Sequence, residues 1–196
     1  MEGYKSLLSY KLTLIQFCLT WEFVPDYYYK TEDFRQRDQI KQAIRSKKQN
    51  IAEGSSERSL SSKLKLYDVA RSSGGELGED YEDILRVEKL PRWNKNDYRL
   101  KRIRLAIEKF SPPDPSDPPI PSCEDVLKAV GIRRIRRNRW TREETEIIVN
   151  YLIDLNARSN FLLDRQIDAV EEKHRIEGGY NENLFKKRLE YRKRSF

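Results

Sequence analysis

The chain of 196 residues is poor in the side chains that most chemistry needs. It has one histidine, His174, inside the charged run EEKHR, so no histidine cluster can be built within the chain, and a lone exposed histidine there reads as bland. Its two cysteines, Cys18 and Cys123, are far apart and form no CxxC, which reads as a reduced, intracellular pattern with neither a disulfide framework nor a zinc site. No phosphate-binding glycine loop, GxSxG elbow or metal-ligand spacing occurs, so the sequence reads as a non-enzyme with no metal and no cofactor. No apolar run approaches the ~20 residues needed to cross a bilayer. The opening MEGYKSLLSYKLTLIQFCLTWEF is interrupted by Lys5, Lys11 and Gln16, and it reads as a mature amphipathic helix, not a signal peptide. The expected location is cytoplasmic, without a membrane partner.

What is present is charge, at 36% of residues, beside 37% hydrophobic residues. The balance suits a thin core between long helices. Apolar residues recur at helical spacing and no strand-like alternation survives, so the expected fold is all-α. A first helix is expected over about 4–24, with Leu7, Leu8, Leu14, Ile15, Cys18, Leu19 and Phe23 buried, closed by Val24-Pro25. Thr31 is a candidate N-cap for a second helix running to about Ala52, and Gly54 a left-handed stop. Ser59 or Ser61 starts a third, running to about Val87, and a fourth covers about 94–110. The segment 111–121 has six prolines in eleven residues and reads as a semi-rigid linker. A basic arm at 122–140 follows. Thr141 with Glu144 forms a capping box that opens a long helix at about 142–176, broken by Gly178-Gly179. A last basic helix fills about 180–194. The expected organisation is therefore 1–110, 111–121, 122–140 and 141–196. In the third helix, Gly74-Gly75 costs roughly 1 kcal/mol per glycine relative to alanine, so a neighbouring helix is expected to approach closely there.

The net charge of +7 is local. Arg37, Lys41, Arg45 and Lys48 fall at i, i+4, i+8 and i+11, one stripe flanking the apolar face of the second helix. This is either a phosphate-contacting ridge or a solvated flank. Arg133, Arg134, Arg136, Arg137 and Arg139 lie within seven residues, beside Trp140. Guanidinium forks and an indole suit phosphates and bases, and the pattern argues backbone binding without sequence readout. The bland alternative is pairing with Glu143, Glu144 and Glu146. Lys186, Lys187, Arg188, Arg192, Lys193 and Arg194 suit a helix C-terminus as well as a polyanion. Glu79, Asp80, Glu82 and Asp83 read as solvated carboxylates or partners for Arg45 or Arg86. Tyr27, Tyr28 and Tyr29 read as packing at a helix end in preference to a stacking platform.

Two segments carry a resemblance. The first is Arg45, Ser46 and Asn50-Ile51-Ala52-Glu53-Gly54-Ser55. The second is Lys65, Leu66, Val69-Ala70-Arg71, Glu76-Leu77, Asp80-Tyr81-Glu82-Asp83 and Leu85-Arg86, followed by Trp93. Together they resemble the four-helix-bundle proteins encoded by intervening sequences in bacterial 23S rRNA genes and their relative, the accessory variability determinant of diversity-generating retroelements. Residues 150–192 resemble the suffix domain of one subgroup. Lys47, where many members carry an apolar residue, and Gly74-Gly75 depart from the pattern. The resemblance implies an antiparallel four-helix bundle with a C-terminal helical suffix joined by the Pro-rich linker, and a homo-oligomer such as a five-fold ring. It also implies a role beside a reverse transcriptase. With the basic clusters, it leads to the expectation of an accessory protein that binds RNA or single-stranded DNA through phosphates. The alternative is a protein-interaction scaffold with no nucleic-acid role.

Overall fold

The computed structural model describes residues 3–108, 123–129 and 139–194. These residues are helical, with no strand among them. The helices are α1 (Leu8–Tyr27), α2 (Phe34–Ser56), α3 (Leu60–Val87), α4 (Tyr98–Glu108), α5 (Cys123–Ala129), α6 (Arg142–Glu177) and α7 (Tyr180–Arg194). Short 3-10 turns, Gly3–Ser6 and Thr31–Asp33, precede α1 and α2.

Four helices pack side by side, α1 on α2, α2 on α3, α3 on α6 and α6 on α1. Each neighbouring pair is antiparallel, as the register of contacts between α1 and α6 illustrates. Ser9 meets Gln166, Gln16 meets Asn156, and the indole of Trp140, just ahead of α6, reaches Phe23. Residues 98–108, expected as the fourth helix, lie instead against α5 and α6. The place between α1 and α3 is taken by α6, which was expected in a suffix. The reason lies in its apolar face: Ile148, Tyr151, Leu152, Leu155 and Leu163 are all buried, a longer stripe than α4 offers. The linker 111–121 lies outside the described residues.

Local chemistry explains most helix ends. Ser59 Oγ accepts from the Ser62 amide at 3.4 Å and caps α3. Thr141 and Glu144 form the capping box of α6 in both directions, at 3.2 and 2.9 Å. Gly178 ends α6 with φ 77°, a left-handed conformation that favours glycine. Three expectations are corrected. First, α1 continues through Pro25 to Tyr27, because proline removes only one hydrogen bond in the final turn and Tyr28 N–H still reaches Val24 O at 2.9 Å. Second, Thr31 does not cap α2 but opens the 3-10 turn ahead of it. Third, Gly54 is helical and does not stop α2, which runs to Ser56 and is followed by Glu57, whose carboxylate accepts from the Arg58 and Ser59 amides. Gly54 serves packing: a Cβ there would lie 2.7 Å from the Tyr67 ring on α3. On α1, Ile15, Cys18, Leu19 and Phe23 are buried as expected, but Leu8 is exposed. The reduced-thiol reading is also corrected, since Cys18 is disulfide-bonded.

The glycine pair divides in two. A Cβ on Gly74 would overlap the Asn160 amide of α6, so a side chain, not the neighbouring backbone, makes the close approach. Gly75 is exposed with nothing near its missing Cβ. Gly75→Ala is therefore expected to stabilise the chain by up to about 1 kcal/mol, read as a shifted denaturant midpoint. An unchanged midpoint would count against this reading of α3.

Candidate nucleic-acid interface

The basic stripe of α2 faces the outer flank of α1. Its i, i+4 spacing keeps the cations on one side, and the antiparallel register sets them beside α1's aromatic residues. Lys41 Nζ sits 4.1 Å from the centre of the Trp21 ring, and Lys48 Nζ 3.8 Å from that of Phe17. Phe17 and Trp21, one turn apart on α1, are stacked with centroids 4.9 Å apart. Arg37 lies 4.2 Å over Phe34. Arg45 is exposed, and Trp21 and Phe34 are 40% and 41% exposed. Arg37 bonds Asp38 at 3.2 Å. Lys41, Arg45 and Lys48 form no ion pair among the described residues. Burial and the neighbouring Arg45 charge both lower the Lys48 ammonium below the ordinary lysine value. The face thus alternates cations with partly open rings.

Trp140, expected beside the arginines as a stacking group, is packed instead, and two of the three tyrosines pack at the helix end as expected. Trp140 donates its indole N–H to Phe23 O at 3.0 Å and tilts against the Phe23 ring at 5.6 Å. Tyr27 stacks on Phe23 and donates to Glu88 at 2.9 Å, and Tyr28 packs edge-on against Tyr27. Only Tyr29 of the three is exposed, with Arg139 4.4 Å over its ring. Arg133, Arg134, Arg136 and Arg137 lie outside the described residues.

Across α2 from the stripe, a polar groove between α2 and α3 is lined by Gln36, Gln39, Ser46, Ser73, Glu76 and Asp80. Gln36 donates to Asp80 at 2.8 Å, and Ser46 bonds Ser73 at 3.0 Å. Glu82 pairs with Arg92 at 2.6 Å and Asp83 with Arg86, so two of the four acids near the end of α3 have basic partners. Among the described residues no group of three or more His, Cys, Asp or Glu side chains is placed to hold a metal. The last basic helix, α7, leaves Leu184, Phe185 and Tyr191 exposed along with its cations.

Lys47 falls three residues after Ile44 and four before Ile51, on the apolar face, and it is fully buried. Its ammonium donates to Gln16 Oε1 at 3.3 Å, Asn156 Oδ1 at 2.8 Å and Ser159 Oγ at 2.7 Å. Gln16 also donates to Asn156 at 3.2 Å, and Asn156 donates to Gly74 O at 2.8 Å. Thr20 and Tyr81 extend the network with a 2.7 Å bond. This polar layer divides a larger apolar cluster, with Leu19, Ile44, Leu77 and Leu155, from a smaller one of Ile51, Tyr67, Ala70 and Leu163. All three acceptors are neutral. Burial, and secondarily the charge of Arg71, push the Lys47 ammonium down to about 7.

No protein-family model, curated protein or solved structure matches this chain. No helix among the described residues is long and apolar enough to cross a membrane.

Proposed function

We propose that this protein is a non-enzymatic accessory protein that binds RNA or single-stranded DNA through backbone phosphates, with the α1–α2 face as its interface. The observation that carries this reading is the set of cations without carboxylate partners among the described residues, Lys41, Arg45 and Lys48, standing among the partly open rings of Trp21 and Phe17. Like charges held this close repel, and a phosphate relieves that repulsion. The arginine cluster around Arg133–Arg139 adds charge of the same sign. The resemblance to the intervening-sequence and retroelement proteins supports the same reading. It extends it to a four-helix bundle that works as a homo-oligomer, a pentameric ring, beside a reverse transcriptase.

A salt titration of binding to labelled single strands tests the reading. If Arg37, Lys41, Arg45 and Lys48 each neutralise one phosphate, log K is expected to fall against log salt with a slope of about −3 from this stripe alone. The triple charge reversal Lys41→Glu, Arg45→Glu and Lys48→Glu is expected to weaken binding at least tenfold and to flatten the slope. Absence of salt-sensitive binding by the folded chain would sink the reading. The exposed Leu184, Phe185 and Tyr191 of α7 favour a second reading, a protein-interaction scaffold. In that case the charge reversal would leave nucleic-acid affinity untouched and α7 substitutions would change partner capture.

A further inference from the structure

We infer that the α1–α2 face selects single strands over duplexes by an exchange on its rings, in which bases replace the protein's own cations over Trp21 and Phe17. The inference rests on the proposed nucleic-acid reading and adds the residues that give it selectivity. In the free protein Lys41 covers Trp21 at 4.1 Å and Lys48 covers Phe17 at 3.8 Å. The two rings stack at 4.9 Å with their planes 25° apart, so they form one continuous aromatic step along α1. Trp21 is 40% exposed, enough for a base to reach its edge and outer face.

The balance of energies favours the exchange. A base stacked on an aromatic ring contributes more than a cation over an exposed ring does. The displaced ammonium is not lost, because it gains a charge-assisted bond to a phosphate. Among the described residues neither lysine pairs with a carboxylate, so none of these holds it when it moves. Lysine suits the exchange better than arginine, since a flexible stem with a point charge leaves a ring more readily than a planar guanidinium that stacks on it.

A duplex offers the phosphates but keeps its bases paired and stacked. It therefore receives only the electrostatic part of the interaction. The same holds for a strand without bases. Selectivity then resides in the rings and affinity for any polyanion in the cations.

The test measures binding of the full chain to four probes of equal length: oligouridylate, oligothymidylate, duplex DNA and an abasic deoxyribose-phosphate oligomer. Trp21→Ala is expected to weaken both single strands five- to thirtyfold while changing duplex and abasic binding less than twofold. Trp21→Phe, which keeps a ring, is expected to recover most of the loss. Lys41→Gln is expected to weaken all four probes and to reduce the salt slope by about one phosphate. If Trp21→Ala weakens duplex and single strand equally, or weakens neither, the exchange is wrong although phosphate binding stands. If the wild-type chain binds none of the four probes, the nucleic-acid reading itself is wrong and the exchange falls with it.

Discussion

Lys47→Met is expected to raise stability at pH 6 by about 2 kcal/mol or more and to remove a rise in stability that the wild-type chain shows from pH 7 to 10. Lys47 is buried among neutral acceptors, with no carboxylate partner shown. Its folded-state pKa is lowered to about 7, below the ordinary lysine value that applies in the unfolded chain. Between those two values the unfolded chain binds more protons than the folded one, so stability rises with pH across that window. Below it both states are protonated, and the folded chain carries the whole cost of a buried charge, roughly 4–5 kcal/mol relative to the neutral amine. Methionine fills a similar volume without that charge. Chemical denaturation of both proteins at pH 6, 8 and 9.5 decides the matter. Parallel stability profiles would mean that Lys47 titrates as an ordinary lysine.

Asn156→Ala is expected to destabilise the chain by about 3 kcal/mol at pH 6. The amide accepts from both Lys47 and Gln16 and donates to Gly74 O. Its loss leaves a buried ammonium short of one acceptor and a buried carbonyl short of its donor. The cost should shrink at pH 9.5, where the folded-state amine is neutral. It should also shrink by at least about 1 kcal/mol in the Lys47→Met background, because contacting partners are not additive. Full additivity in the double variant would show that the two side chains do not share a network. The pH dependence also separates this prediction from the ordinary cost of removing a packed side chain.

The polar layer has a structural consequence. Gln16, Lys47, Gly74, Asn156 and Ser159 come from all four packed helices. A shift of α6 along α1 and α3 would move Asn156 and Ser159 away from Lys47 and strand the ammonium. Buried polar groups of this kind fix register at a cost in stability. The glycine at position 74 belongs to the same arrangement, since a side chain there would displace Asn160.

How much of this was legible in the sequence differs by residue. Helix positions and most ends follow from interactions within four or five residues. The apolar period, the Ser59 cap, the Thr141–Glu144 box and the glycine at 178 are all local, and each stands in the fold. The burial of Lys47 was also within reach, because it sits in step with Ile40, Ala43, Ile44 and Ile51. Its chemical type hid it among the other cations of α2. Trp21 gave a weaker signal, a ring one turn from Phe17 on the flank of α1.

The sequence by itself determined an all-helical chain with a basic stripe on its second helix. Tertiary structure alone decided which helices are neighbours. It put α6 and not α4 between α1 and α3, set Lys41 and Lys48 over rings of α1, packed Trp140 against Phe23, and tied up Cys18 in a disulfide. The physical reason is range. Helical hydrogen bonds and caps close over a few residues. The partner of a helix face is chosen by burial between segments a hundred residues apart, where several apolar stripes of similar strength compete for the same place.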